Sequence, residues 1–137
     1  MGFVTAVILF LGIYNQTNSV TDCSKGTSVF KFTGGSLLPD PVVPGQDSSI
    51  TLNAEIPAGT YVDAGMAKYS FSFNGIPFAP TTEDLCADVA CPLVPGPYTN
   101  TTTSVFPSGV SGKVTTKIEW FDTANNQLLC ADVTARV

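Results

Sequence analysis

Along this chain, hydrophobic and polar positions alternate with a period of two far more often than with the three-to-four spacing of a helix. Ile50, Leu52, Ala54 and Ile56 alternate with Thr51, Asn53 and Glu55, the pattern of a strand with one face buried and one face wet. Phe30 and Phe32 alternate with Val29 and Lys31, and Ala67, Tyr69, Phe71 and Phe73 share a face opposite Lys68, Ser70 and Ser72. In GKVTTKIEWFD, Val114, Ile118 and Trp120 fall on one side and Thr115, Lys117 and Glu119 on the other. The final segment, LLCADVTARV, points Leu129, Ala131, Val133, Ala135 and Val137 inward, which sends Cys130 to the opposite face, at the expected rim of the fold. Between these runs lie turn signals such as GGSLLPDPVVPGQD, IPAGT, NGIPFAP, VPGP, FPSG and TANNQ. About seven or eight short strands separated by such turns predict an all-β fold, an antiparallel β-sandwich of immunoglobulin-like shape. The cysteine pattern that bridges the two sheets of immunoglobulin domains is missing.

The chain's 137 residues suit one domain with a real core. Its residues are 44% hydrophobic but only 12% charged, so Ser, Thr, Asn, Gly and Pro must cover much of the surface, as is common outside the cell. A net charge of -5 with no basic run excludes nucleic acid as a partner, because neutralising phosphates requires clustered Lys and Arg. The leading run MGFVTAVILFLGIY is too short to span a bilayer comfortably and has the length of a signal-peptide core. Residues 1–19 therefore read as a signal-like segment, with small residues at Thr17 and Ser19, and residues 20–137 as the folded domain. The alternative is retention of the segment as a membrane or partner-binding anchor, or as an extra apolar strand.

Secretion, or residence in the lumen of the endomembrane system, also fits the four cysteines, which can pair in three ways. The near pair is expected to be Cys86 with Cys91, which leaves Cys23 to clasp Cys130. The sequons at Asn15 and Asn100 are glycosylation acceptors in that compartment, Asn100 lying in a polar stretch that reads as exposed. The chain contains no histidine, which removes the Ser-His and Cys-His nucleophile systems and most catalytic zinc sites. Glu83, Asp84 and Asp88 crowd the near-pair loop, and Asp40 and Asp47 flank PDPVVPGQD, but neither spacing builds a glycosidase pair or a calcium shell. No enzyme, metal site or cofactor is expected.

Nine Phe, four Tyr and one Trp remain to be explained. They are either ordinary core or the lining of an apolar cavity between two sheets that do not close fully. The order of short motifs bears on that choice. DCSKG (22–26), PDPVVPGQDSSIT (39–51), GTYVDAGMAKY (59–69), DLC (84–86), CPLVPGPY (91–98), FPSG (106–109) and LLCADVTARV (128–137) occur in succession. Together they resemble the ML lipid-recognition domain family, in the flavour of secreted phosphatidylglycerol/phosphatidylinositol transfer proteins and, more distantly, of the Niemann-Pick type C sterol carrier. The resemblance covers nearly everything after the leading run.

It implies a sandwich whose interior holds the apolar part of one lipid, entered through a gap at one end, with Cys86–Cys91 framing the pocket's rim and Cys23–Cys130 joining the chain ends. Phe78, Ile76 and Trp120 match pocket positions of the sterol carriers. A pocket tyrosine expected near PSGVSG is missing, with Val110 or Ser111 in its place, which bears on sterol specificity. Inward parity adds Phe30, Phe71, Phe73, Tyr98, Phe106, Val114 and Ile118 as walls. The resulting expectation is a non-enzymatic lipid-binding and transfer protein. Its ligand would be a phospholipid or sterol, and it would touch membranes transiently. The alternative is an accessory subunit of a larger extracellular or membrane assembly built on the same fold.

Overall fold

The computed structural model describes residues 18–137. The apolar leading run and the Asn15 sequon lie outside the described residues. Among the described residues there are nine strands, one more than the upper expectation. They are β1 (Ser19–Asp22), β2 (Lys31–Leu38), β3 (Asp47–Ile56), β4 (Gly65–Phe73), β5 (Ile76–Pro77), β6 (Thr81–Asp84), β7 (Gly96–Val105), β8 (Lys113–Asp122) and β9 (Gln127–Arg136). A single helical turn, α1 (Leu85–Asp88), follows β6. The strands form two antiparallel sheets. The larger runs β1-β9-β8-β4-β5, with β6 also pairing β4, and the smaller runs β2-β3-β7.

The alternating positions form the core. Ile50, Leu52, Ala54 and Ile56 of β3 are buried in one cluster with Ala67 of β4, Val114, Ile118 and Trp120 of β8, and Leu129, Ala131, Val133 and Ala135 of β9. Each such aliphatic side chain stabilises the fold by roughly 1.5–3 kcal/mol, so a one-residue slip of β3, which would turn all four outward, is strongly disfavoured.

Parity fails at the start of β9. Cys130 is not at an exposed rim but only 3% exposed, because the segment between β1 and β2 folds over it. Three backbone hydrogen bonds tie that segment down: Cys23 N–H to Cys130 O (3.1 Å), Val29 N–H to Gln127 O (3.0 Å) and Phe30 N–H to Leu128 O (2.8 Å). Leu128 and Leu129 are consequently both buried although they point to opposite faces. Both disulfides form as expected, with Cα–Cα distances of 5.1 Å for Cys23–Cys130 and 5.5 Å for Cys86–Cys91.

The two long edges of the sandwich differ. Along one, β1 and β2 are in contact: a Cβ on Gly35 would lie 2.6 Å from Val20 Cγ1 and 2.7 Å from Thr51 O, so only glycine permits this approach. The Asn18 side-chain amide adds hydrogen bonds to Leu37 O (2.8 Å) and Pro39 O (2.9 Å) across the same seam. The opposite edge has β7 on one sheet and β4 with β6 on the other, and there the sheets part.

Candidate functional site

β7 explains why that edge stays apart. Its residues GPYTNTTTSV carry few apolar side chains, and parity turns Tyr98, Asn100, Thr102 and Ser104 toward the other sheet. The strand is held by ladder pairing to β3 from Asp47↔Val105 to Ile56↔Gly96, not by an apolar stripe of its own. A wall so polar has no drive to collapse onto the facing aromatics, and a cavity of about 660 Å³ lies between them. That volume is within the roughly 300–1,000 Å³ of ordinary small-molecule pockets.

Tyr69 and Phe71 of β4, Thr116 and Ile118 of β8, and Ile50 of β3 form its floor and far wall. Thr102–Val105 of β7, with Phe106 and Pro107 just after it, form the near wall, and Glu83, Ala87 and Asp88 close one end. Behind it a small chamber of about 30 Å³ is bounded by Leu52, Tyr69, Asp88, Val89, Asn100, Thr102, Ile118 and Trp120.

The closed end is built by the disulfide loop. Asp84 caps α1 by accepting from the Cys86 N–H at 3.1 Å, and the Cys86–Cys91 bond holds the turn against β4. This places Asp88 where the Tyr69 hydroxyl donates to its Oδ2 at 2.6 Å. Burial first, and then that hydrogen bond, raises the Tyr69 hydroxyl well above the ordinary tyrosine value. Glu83 is exposed, and a side-chain hydrogen bond with Asp88, reinforced by that neighbour's charge, raises its carboxyl above the usual carboxylate value. Among the described residues no Lys or Arg lines either chamber.

Among the sequence-derived candidates, the structure brings Phe71, Phe106 and Ile118 to the cavity and Trp120 to the chamber behind it. Tyr98 is half-buried and meets Trp120 edge to face, with ring centroids 6.2 Å apart. Phe78 and Ile76 line neither chamber. They are 55% and 64% exposed at the β4–β5 hairpin, whose second strand is only two residues long and pairs with the end of β4. Phe78 still packs edge to face on Phe71 at 5.2 Å, which sets it beside the cavity's outer margin.

Phe30 is fully buried at the Cys23 end, beside a separate depression near Asp22 and Lys31. Val114 is core, and Phe73 packs against the core, both away from the cavity. Asn100 is half-buried on the inner face of β7, not displayed outward as its polar neighbourhood suggested. Sequence reasoning missed Tyr69 as a wall, Thr102, and the Asp88 end. The inward parity of Tyr69 was visible, but no residue pattern distinguished the polar inner face of β7 from a solvated loop.

The chain matches the ML domain family model over residues 17–137. It is 27% identical over 127 residues to a phosphatidylglycerol/phosphatidylinositol transfer protein of Cryptococcus neoformans, covering 84% of this chain and 68% of that one. It is 25% identical over 137 residues to a putative phosphatidylglycerol/phosphatidylinositol transfer protein of Dictyostelium discoideum, covering 97% of each. Among solved structures it resembles a Niemann-Pick type C2 protein from the Japanese carpenter ant (TM-score 0.61, 15% identity, 85% of this chain and 96% of that one). It also resembles chicken MD-1 complexed with lipid IVa (TM-score 0.58, 16% identity, 89% and 90%). With a family match spanning the whole sandwich and neighbours that share its two-sheet architecture, this chain belongs to the ML domain family.

Proposed function

We propose that this protein binds one lipid, holding its apolar part between the two sheets, and carries it between membranes without chemical change. The observation that carries this reading is the cavity itself. It lies between the sheets of a small domain, is open along one edge, and is walled by Tyr69, Phe71, Phe106 and Ile118. Relatives named as phosphatidylglycerol/phosphatidylinositol transfer proteins support the reading. So does the physics, since burying an acyl chain at about 0.8 kcal/mol per methylene makes extraction from a bilayer feasible without a covalent step. A phospholipid or a sterol is the ligand class.

The chain offers little for catalysis. It has no histidine, and the carboxyls nearest the cavity are engaged with each other and with Tyr69. Two disulfides support an oxidising compartment, secreted or lumenal, as the place where the protein works. Exposed Phe78 and Val105, beside the open edge with Pro107, form the apolar margin that would meet a membrane during exchange. Transfer of a fluorescent phospholipid or sterol between vesicles tests the proposal. Wild-type protein should accelerate transfer, and Thr102→Trp, which puts an indole into the cavity, should not. Equal acceleration by both would place the lipid elsewhere.

A further inference from the structure

Three loops meet at the end of the sandwich where β7 finishes. Gly45 N–H donates to Phe106 O (2.8 Å), Asn74 N–H to Lys113 O (2.8 Å) and Lys113 N–H to Asn74 Oδ1 (2.8 Å), which ties the β2–β3 loop, the β7–β8 loop and the β4–β5 hairpin together. Six of the ten large hydrophobic side chains exposed among the described residues are carried there: Leu38, Val43, Ile76, Phe78, Val105 and Val110. Phe106 and Pro107 of the same end line the cavity, and Phe78 packs on Phe71 of its wall. Apolar groups gathered at one end, beside a cavity, mark a surface that is covered in use.

The charges bordering this rim are uneven. Four of the chain's six basic residues, Lys68, Lys113, Lys117 and Arg136, stand on the outer face of the larger sheet, because the alternate residues of β4, β8 and β9 pack in or against the core. Lys68 faces Glu119 and Lys117 faces Asp132 across the ladder, but Lys113 faces Arg136. Both are exposed, and both lie at the three-loop end, where Gly112 and Val137 exchange backbone hydrogen bonds of 2.9 Å. Like charges directly opposite each other weaken strand pairing, so an anionic layer against this pair relieves a cost that the free protein bears. Asp84, on the same face, pairs with Met66 at the far end. Asp40 and Asp47 border the rim on the smaller sheet's side.

We propose that this end docks on an anionic phospholipid bilayer, with the apolar rim among the head groups and Lys113 and Arg136 against lipid phosphates. The inference rests on the lipid-carrying reading above and adds which membrane surface the protein selects and how it lies there. A bilayer presents hydrocarbon beneath a layer of phosphate oxygens, matching apolar loops bordered by two cations. Because the rim adjoins the cavity, a lipid tail passes from bilayer to gap without crossing water. The cations flank only the larger sheet's side and the opposite side carries Asp40 and Asp47, so the sandwich leans on the bilayer toward its larger sheet.

The test is co-sedimentation of the full chain with vesicles of phosphatidylcholine alone or of phosphatidylcholine mixed with phosphatidylglycerol. Wild-type protein should bind the mixed vesicles more tightly, and high salt should erase the difference. A basic side chain close to an anionic leaflet strengthens binding roughly fivefold, so the double variant Lys113→Gln/Arg136→Gln should lose up to about thirtyfold on mixed vesicles. The double variant Lys68→Gln/Lys117→Gln makes the same change in net charge away from the rim and should lose far less. Equal wild-type binding to both vesicles, binding to neither, or an equal loss in the two double variants overturns the docking surface. Uptake of a short-chain fluorescent lipid from a soluble carrier by wild-type protein reads the cavity separately. Uptake without selective vesicle binding overturns the docking surface alone, and absence of uptake overturns lipid holding.

Discussion

The cavity's size sets how affinity should depend on the length of the guest. Moving a methylene from water into an apolar interior gains about 0.8 kcal/mol, close to fourfold in affinity per added carbon. A methylene takes up about as much space as a water molecule in the liquid, roughly 30 Å³. A cavity of about 660 Å³ then accommodates on the order of twenty methylenes. This is a ceiling, because the open edge leaves the outermost carbons partly wet. Affinity should therefore climb about fourfold per carbon through a homologous series of single-chain lipids and level off near that length. Displacement of a fluorescent acyl probe by chains shorter and longer than this, delivered from a soluble carrier, measures the curve. An affinity independent of length would mean that the chain is not buried. A slope that continues undiminished well past the ceiling would mean that the guest lies along an open surface.

Three further predictions concern the frame around the cavity. The Cys23–Cys130 bond closes a separation of 107 residues and the Cys86–Cys91 bond one of 5, so in the chain-entropy treatment their removal costs about 4.8 and 2 kcal/mol respectively. Urea unfolding of the paired Cys→Ser variants should rank them in that order, and the reverse ranking contradicts the treatment. Asp22 accepts from Ser24 Oγ (2.7 Å) and from the Ser24 and Gly26 N–H groups, and Asp122 from the Asn126 side chain and from the backbone of Asn126 and Ala124. These bonds lower both carboxyls below the ordinary 3.8. Their contribution is complete above that value and is lost as pH falls through the lowered folded-state value. Raised Glu83 works in the opposite sense, contributing below its ordinary 4.5 and losing that contribution as pH rises. Thermal melts of wild type and Asp122→Asn across the acid range should converge at low pH, and a constant gap would refute the assignment. Phe78→Asp, at an exposed position beside Phe71, should slow transfer between vesicles severalfold while leaving the fold and the binding of a soluble short-chain lipid unchanged. Lost binding would make Phe78 a wall of the cavity after all.

The residues that could be read in advance are those whose environment is set along one strand. The β3 run from Ile50 to Ile56 is buried at every second residue because it lies at the centre of the smaller sheet, covered on one face and wet on the other. The same logic located Ile118 and Trp120. It failed where burial comes from a distant segment: Cys130 is covered by the loop after β1, and no periodicity within β9 records that. It failed again at β7, where Asn100 and Thr102 face inward toward a space and not toward packed side chains, so their face carries no hydrophobic signature. Ile76 and Phe78, which the resemblance puts at the pocket, stand exposed on a short hairpin paired with β4 and line neither chamber, a placement that no periodicity along the strand could give.

Whether the gap between β7 and β4 shelters a lipid is read most directly by native mass spectrometry of the full chain after incubation with mixed phospholipid and sterol vesicles. A population carrying a single lipid, lost in Thr102→Trp, is expected. A bare chain under every condition, or equal lipid retention by that variant, would contradict it.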